Sequence, residues 1–140
     1  MLTVGLPFSI CVLLSNLLGE RKLDFYCGNN KILSRTGYLG LPQGSVLSPM
    51  FYNLYVRDIE EIIPEGCFIL QYADDIAIGI AHKDPCVIQD NLTLACERIQ
   101  NFLNKRGLSI SIQKSAFVLF TGKHRPPTIS VLCDGEVIPT

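Results

Sequence analysis

The stretch CFILQYADDIAIGI, residues 67–80, limits the possible fold more than any other part of the chain. β-Branched and aromatic residues lie on both sides of the central Ala-Asp, and strands carry their side chains on alternate faces. We therefore predict an antiparallel hairpin with strands 67–72 and 75–80. In that register one face is rich in isoleucine and is suited to packing on helices: Ile69, Ile76, Ile78 and Ile80.

The turn of this hairpin breaks a local rule. With Tyr72 opposite Asp75, the two-residue loop is Ala73-Asp74, although such loops favour glycine or asparagine. A left-handed backbone at Ala73 costs about 1–2 kcal/mol, and strain of that kind tends to persist at functional sites. The two neighbouring acids are either ordinary solvated turn residues or ligands of a divalent cation such as Mg²⁺, which offsets their repulsion. The residues alone leave both explanations open.

The beginning of the chain predicts a helix. Residues 2–18 carry no charge, Pro7 suits the first turn, and Gly19 is expected to end the helix in a left-handed conformation. A membrane span is a poor alternative, because no basic residue precedes the run and polar residues interrupt it near the lower length limit. We therefore expect a buried helix and no membrane partner.

A second hairpin and a loop follow. Apolar and polar residues alternate over residues 22–27, Gly28 supplies turn chemistry, and residues 31–35 can return as the partner strand. Residues 37–49 then hold three glycines and two prolines, which exclude a regular element. The composition predicts a shaped loop whose backbone can approach a ligand closely.

Two further helices are predicted from their caps and apolar periodicity. The first begins at Ser48-Pro49 and stops near Pro64. The second begins at Asp84-Pro85 and ends at Gly107. The inward face of the first should hold Phe51, Leu54, Tyr55, Ile59, Ile62 and Ile63, and that of the second Val87, Ile88, Leu92, Ala95, Ile99, Phe102 and Leu103.

Composition supports a globular domain. Hydrophobic residues make up 48% of the 140 residues, which is enough for a core and argues against disorder. The six cysteines form no CxxC pair, so zinc and haem-attachment patterns are absent, and we interpret them as reduced intracellular thiols. No targeting signal distinguishes nucleus from cytoplasm.

The charges are segregated along the chain. The net charge is only −1, whereas proteins that hold nucleic acid by charge are usually basic. Residues 58–75 carry six acids and no Lys or Arg, and residues 105–125 carry five basic side chains and no acid. Any contact with nucleic acid must therefore be local.

Two motifs in order carry a resemblance to a known family. LPQGSVLSPMFYNLY, followed by QYADD, resembles the palm domain of reverse transcriptases from non-LTR, LINE-like retrotransposons. The segment LACERIQNFLNKRGLSISIQKSAFVLFTGKHR resembles the next two motifs of the family, including a lysine before a VLF strand. The resemblance implies an α+β fold, namely a partial polymerase palm in which an antiparallel sheet with the YADD hairpin packs on helices.

The resemblance also implies a site. Asp74 would ligate two catalytic Mg²⁺ ions and Asp75 would support them less directly, for phosphoryl transfer from a deoxynucleoside triphosphate to a DNA primer on an RNA template. Contacts to the nucleotide or template are implied for Pro42, Gln43, Gly44, Tyr72 and Lys114. From the residues alone, Lys114 can equally be a solvated lysine at a strand end.

One departure from the family affects the expected activity. The first metal-binding aspartate of the family lies on an earlier strand, and neither Glu20 nor Asp24 is a credible replacement. We expect that strand, the fingers and most of the thumb to be absent, and the chain to be inactive alone. The expected segments are 1–36 (helix and hairpin), 37–64 (PQG loop and helix), 65–82 (YADD hairpin), 83–125 (helix and lysine-bearing strand region) and 126–140 (start of the next segment).

Two other classes of function remain open. The chain can be a nucleic-acid-binding or interaction module that uses the basic residues of 105–125, or a non-functional remnant without a stable fold. A magnesium enzyme other than a polymerase is a third possibility, and it leaves LPQGSVLSP unexplained.

Overall fold

The computed structural model describes residues 7–38, 40–41 and 44–140. They fall into two compact units, Met1–Phe51 and Tyr52–Thr140. Helices and antiparallel strand pairs occur together, so the predicted α+β class is confirmed. In the described part of the chain the strands form three separate two-stranded sheets instead of one larger sheet.

The elements follow in chain order. The first unit holds helix α1 (Phe8–Leu18) and strands β1 (Arg21–Cys27) and β2 (Asn30–Gly37). Helix α2 (Ser48–Val56) starts in the first unit and continues in the second. The second unit then holds a 3₁₀ helix (Arg57–Ile62), strands β3 (Cys67–Tyr72) and β4 (Asp75–Ile80), helix α3 (Pro85–Asn104), a 3₁₀ helix (Ile112–Lys114) and strands β5 (Leu132–Cys133) and β6 (Glu136–Val137).

Helix α1 confirms the predicted helix over its described residues, but the predicted burial is wrong. Phe8 and Leu13 are 79% and 59% exposed, and among the described side chains of α1 only Leu14 is buried. An uncharged run is buried only where other elements cover it. The carbonyl of Pro7 accepts hydrogen bonds from the N–H groups of Ile10 (3.0 Å) and Cys11 (3.1 Å). The predicted left-handed ending is wrong, because Gly19 has φ −72° and ψ −158°. The chain is already extended there, since strand β1 begins only two residues later. Among the described residues, no helix combines the length and apolarity needed to cross a membrane.

The β1–β2 hairpin confirms the hairpin predicted from residues 22–27 and 31–35. Its register runs from Arg21 opposite Gly37 to Cys27 opposite Asn30, with one irregularity after Phe25. Gly28, in the turn, has φ 58°, which glycine adopts at little cost.

Helix α2 confirms the predicted start and corrects the predicted buried face. The α-helix becomes a 3₁₀ helix at Arg57, and residues per turn fall from 3.6 to 3.0. Val56, at the end of α2, and Ile59, in the 3₁₀ helix, form the buried side of these two segments and are 0% and 1% exposed. Tyr55 was predicted to point inward, but it is 51% exposed and its hydroxyl donates to the carbonyl of Arg106 (2.7 Å).

Helix α3 has the predicted ends. The carboxylate of Asp84 accepts a hydrogen bond from the N–H of Cys86 (2.9 Å), and Pro85 is the first helical residue. At the other end Gly107 has φ 71°, and the N–H of Leu108 donates to the carbonyl of Leu103 (3.0 Å). This is a Schellman ending. The buried residues are Leu92, Ala95, Cys96, Ile99, Phe102 and Leu103, so Cys96 extends the predicted stripe.

Two hydrophobic clusters form the core of the second unit. The first joins the end of α3 to α2 and the following 3₁₀ helix through Val56, Ile59, Ile99, Phe102 and Leu103. The second joins the middle of α3 to the region around β5 through Leu92, Cys96, Ile129, Val131 and Cys133. Ile78 of β4 packs against both clusters, so the β3–β4 hairpin is supported by the whole core.

The family resemblance implies a strand region within residues 108–120, including the VLF strand, and it is not formed. All of these residues are described, and they hold a 3₁₀ helix but no strand ladder. Burial still alternates there, because Leu108, Ile110 and Phe117 pack against the core while their neighbours are exposed. Alternation needs only a surface to pack on, whereas a strand also needs a hydrogen-bonding neighbour.

The buried thiols predict a loss of stability at high pH. Burial, with a smaller effect of Cys133, raises the pKa of Cys96 to about 11 from 9.0. The unfolded thiol ionises first as pH rises, so the free energy of unfolding should fall between pH 9 and 11, by up to about 2–3 kcal/mol. Urea unfolding at several pH values, compared with Cys96→Ala, measures this. Identical pH dependence in both proteins would contradict the assignment.

Candidate active site at the β3–β4 turn

The β3–β4 hairpin has the register predicted from sequence. Six pairs run from Tyr72 opposite Asp75 to Cys67 opposite Ile80. The face that carries Ile69, Ile76 and Ile78 packs on the core. Because a shift of one residue would turn that face to solvent, burial of the isoleucines stabilises this register over its neighbours. The turn between the strands is therefore held in one place.

The opposite face of the hairpin is open. Tyr72 is 84% exposed, and Phe68 and Leu70 on the same strand are also exposed. The ring of Phe68 covers Gly79 on β4 so closely that a Cβ atom at Gly79 would collide with it. Glycine is thus required at this position for the ring to lie flat across the strands.

The turn carries the predicted backbone strain. Ala73 has φ 51°, one of two positive values among the described residues other than glycine. Its carbonyl accepts a hydrogen bond from the side-chain amide of Gln71 (3.1 Å). The surrounding hairpin therefore holds Ala73 in a conformation that costs about 1–2 kcal/mol for a residue with a Cβ atom.

The two aspartates lie in different surroundings. Asp75 is opposite Tyr72 at the end of the open face, and both carboxylates are exposed. Asp74 lies close enough to Tyr52 for its charge to act on the tyrosine hydroxyl. Burial, and secondly the charge of Asp74, raises the pKa of Tyr52. Tyr52 packs against the first cluster, so the charge of Asp74 acts on a residue of the helical side.

Tyr52 was absent from the residues predicted to face inward. It lies four residues before Val56, and Ile59 follows three residues later, so these three share one helical face. The periodicity that places Val56 inside would also have found Tyr52. The sequence prediction missed both because it aligned the stripe on Phe51 and Tyr55.

The acid pair fits a magnesium ion that is shared with a substrate. Magnesium takes oxygen ligands, and protein sites often supply one or two carboxylates while phosphates and water fill the other positions. Asp74 and Asp75 offer ligands of that type at an exposed tip. Within the described ranges, no group of three or more His, Cys, Asp or Glu side chains could hold a metal ion. The pair can therefore form part of a site, and phosphate oxygens suit the remainder.

The other predicted site residues are distributed over both units. Gly44 lies in the first unit and has φ 84°, which suits the predicted shaped loop, whereas Pro42 and Gln43 lie outside the described residues. Lys114 lies in the second unit, exposed at the end of a 3₁₀ helix rather than at a strand end. The structure brings Tyr72, Asp74 and Asp75 together at one turn, and their roles stay predictions.

The basic residues of 105–125 do not all face solvent as free cations. Arg106 donates to the carbonyl of Tyr55 (3.1 Å), pairs with Asp58 (3.7 Å) and lies 3.6 Å from the centre of the Phe102 ring. These contacts tie the end of α3 to α2 and the 3₁₀ helix after it. Arg106 is therefore a structural residue.

The strain at Ala73 leads to a stability prediction. Ala73→Gly should raise the free energy of unfolding by about 0.5–1 kcal/mol, because glycine tolerates the left-handed conformation and only part of the gain is lost to chain entropy. Thermal and urea unfolding measure the change. Ala77→Gly on β4 is the matched control and should destabilise by a similar amount, since a strand interior gains nothing from glycine. Destabilisation by both would contradict the assigned strain.

Comparison with known proteins agrees with the motifs. Residues 4–132 match the family model described as reverse transcriptase (RNA-dependent DNA polymerase). The RNA-directed DNA polymerase from mobile element jockey of Drosophila melanogaster is 25% identical over 123 residues, which is 84% of this chain and 13% of that protein. The jockey polymerase of Drosophila funebris is 35% identical over 94 residues, covering 61% of this chain and 10% of that protein.

A third relative comes from another element. The retrovirus-related Pol polyprotein from type-1 retrotransposable element R1 2 of Nasonia vitripennis is 28% identical over 86 residues, 61% of this chain and 21% of that protein. The chain thus spans between 10% and 21% of the length of these relatives. No solved structure matches. Because the family model covers nearly the whole chain, the chain belongs to the reverse transcriptase (RNA-dependent DNA polymerase) family.

Proposed function

We propose that this chain forms part of the catalytic centre of an RNA-directed DNA polymerase. The observation that carries the proposal is the pair Asp74-Asp75, held at a strained turn by a hairpin whose isoleucine face packs on the core, in a chain of this family. Rigid placement matters because phosphoryl transfer depends mainly on positioning and on stabilisation of charge. The substrates would be an RNA template, a DNA primer and deoxynucleoside triphosphates.

Asp74 and Asp75 would hold Mg²⁺, two ions in the complete enzyme. When bound, the metal supplies positive charge for the attacking primer 3′-oxygen, the transferred phosphate and the leaving pyrophosphate. The protein contributes the position of the carboxylates. The isoleucine face packs the hairpin on the first cluster, which includes residues of α3.

The remaining residues would contact substrates. The exposed ring of Tyr72 is available to the primer end, and Lys114 would donate a proton to the leaving pyrophosphate. Pro42, Gln43 and Gly44 would shape the loop against the template base pair or incoming nucleotide. The positive φ of Gly44 supports the loop part of this proposal.

We further propose that the chain is inactive without another acidic ligand. The turn supplies two carboxylates, and the described residues offer no cluster of three metal-binding side chains. In the family, the first metal-binding aspartate lies on a strand before the PQG loop and the YADD hairpin. A segment that holds that strand would have to supply the missing ligand.

Primer extension tests both proposals. The purified chain should make no product on a primed RNA template with Mg²⁺, and should gain activity when a jockey segment with the first aspartate is added. Robust synthesis by the chain alone would contradict inactivity. No synthesis with the added segment, from a chain that binds the template, would count against the polymerase role.

A thermal scan separates this proposal from a non-functional remnant. The described core predicts one or two cooperative transitions, since the two hydrophobic clusters share α3 and β4. Gradual melting without a transition would favour the remnant.

A further inference from the structure

The β1–β2 hairpin concentrates positive charge on a chain that is acidic elsewhere. Residues 21–37 hold four basic side chains and one acid, a net charge of +3, although the whole chain carries −1. Every residue of the hairpin from Lys22 to Thr36 is exposed. The charge is therefore available at the surface of the first unit.

One face of the hairpin satisfies its own polar groups. Lys31 pairs with Asp24 (2.7 Å), and the hydroxyl of Ser34 donates to the same carboxylate (2.5 Å). The hydrogen bonds from Lys31 and Ser34 lower the pKa of Asp24. Lys31 thus neutralises Asp24, the one acid of the hairpin. The net positive charge therefore comes from Arg21, Lys22 and Arg35.

The other face combines arginine with apolar side chains. The register places Arg21, Leu23 and Phe25 on the same side as their partners Gly37, Arg35 and Leu33. Leu23, Phe25 and Leu33 are 50%, 49% and 42% exposed. Arg21 donates to the carbonyl of Gly40 (2.6 Å), which orients its guanidinium. Arg35 lies opposite Leu23, so this face combines arginine with three exposed apolar side chains.

We propose that this face, Arg21, Leu23, Phe25, Leu33 and Arg35, binds single-stranded nucleic acid. Sites for single strands combine cations that contact phosphates with aromatic rings that stack on bases. A duplex hides its base faces, so the apolar centre would be left without a partner there. A neutral protein partner would offer no negative groups to the excess positive charge of the hairpin. This surface is distinct from the one in the polymerase proposal. Binding to it requires neither a metal ion nor a deoxynucleoside triphosphate.

The test measures binding by the 140-residue chain to a labelled single-stranded RNA of ~16 nucleotides, and to the DNA of the same sequence, in EDTA. Affinity should fall steeply with salt. Arg35→Ala should reduce the slope of log affinity against log salt by about 0.7, the value for one phosphate contact on a single strand. Phe25→Ala should weaken binding about 5- to 100-fold, and Phe25→Leu, which keeps an apolar side chain, should also weaken it because stacking is lost.

The matched control is Lys83→Ala, which removes one exposed cation from the second unit and should leave the slope unchanged. EDTA removes any bound metal, so a failure of the polymerase proposal does not affect this result. Circular dichroism confirms that each variant keeps its fold. Tighter binding of either RNA or DNA supports the proposal and identifies the natural strand.

Three results would overturn it. The first is the absence of salt-sensitive binding by the unaltered chain. The second is equal competition by duplex of the same length. The third is an equal loss in Arg35→Ala and Lys83→Ala, which would show that overall charge, and not this face, holds the strand.

Discussion

Asp74→Asn is expected to reduce Mg²⁺-dependent primer extension by about 10³-fold or more, the effect of losing one charge that stabilises phosphoryl transfer. Asparagine keeps the size of the side chain and its ability to sit in a tight turn, but it removes the negative charge that binds the metal. The assay uses a chimaera in which the 140-residue chain replaces the matching segment of the Drosophila melanogaster jockey polymerase. A second readout is Mn²⁺ binding by the isolated chain, followed by paramagnetic broadening of its NMR signals.

Asp134→Asn is the matched control for this experiment. Asp134, like Asp74, is exposed in a hairpin turn, here between β5 and β6. Its φ is 51°, the value that Ala73 has in the β3–β4 turn. The same chemical change there should leave both primer extension and Mn²⁺ binding near their original levels. Equal losses in the two variants would show that the aspartate at the β3–β4 turn has no special role.

Ile99→Ala is expected to lower the free energy of unfolding by about 2–5 kcal/mol, the cost of deleting a large buried side chain and leaving a cavity. Ile99 is 1% exposed and lies in the cluster that also contacts Ile69, Ile76 and Ile78 of the hairpin. Small domains have only about 5–15 kcal/mol of stability, so this loss is a large fraction of the total. Urea unfolding followed by circular dichroism measures it.

Leu94→Ala provides the comparison on the same helix. Leu94 has the same number of carbon atoms as Ile99 but is 37% exposed. Its replacement should cost less than about 1 kcal/mol, since little apolar surface leaves a packed environment. If both variants lost similar stability, the packing of α3 against the hairpin described above would be incorrect.

Prediction from sequence succeeded where one short segment contains the whole cause. The register of β3 and β4 follows from the period of two and a two-residue turn, and the positive φ of Ala73 follows from that register. The start of α3 followed from Asp84 and Pro85, because a cap acts on N–H groups within one turn.

Prediction failed where a residue's state depends on what lies beside it. Gly19 is extended because β1 follows at once, and glycine tolerates either conformation. Val56 and not Tyr55 lies on the buried face because the core packs on that side of the helix, although apolar residues also run along the other side. The proximity of Tyr52 to Asp74 joins residues that are distant in the chain, and no local pattern encodes it.

The sequence by itself determined the family, the two caps of α3, both hairpins and the acid pair at the second turn, because each depends on residues within a few positions of one another. Only the tertiary structure decided which helical face is buried, that residues 108–120 alternate without pairing as strands, and that Arg106 is a structural cation. Those outcomes depend on the surface available for packing and on hydrogen-bonding partners far away in the chain. Such partners become defined only when the elements meet.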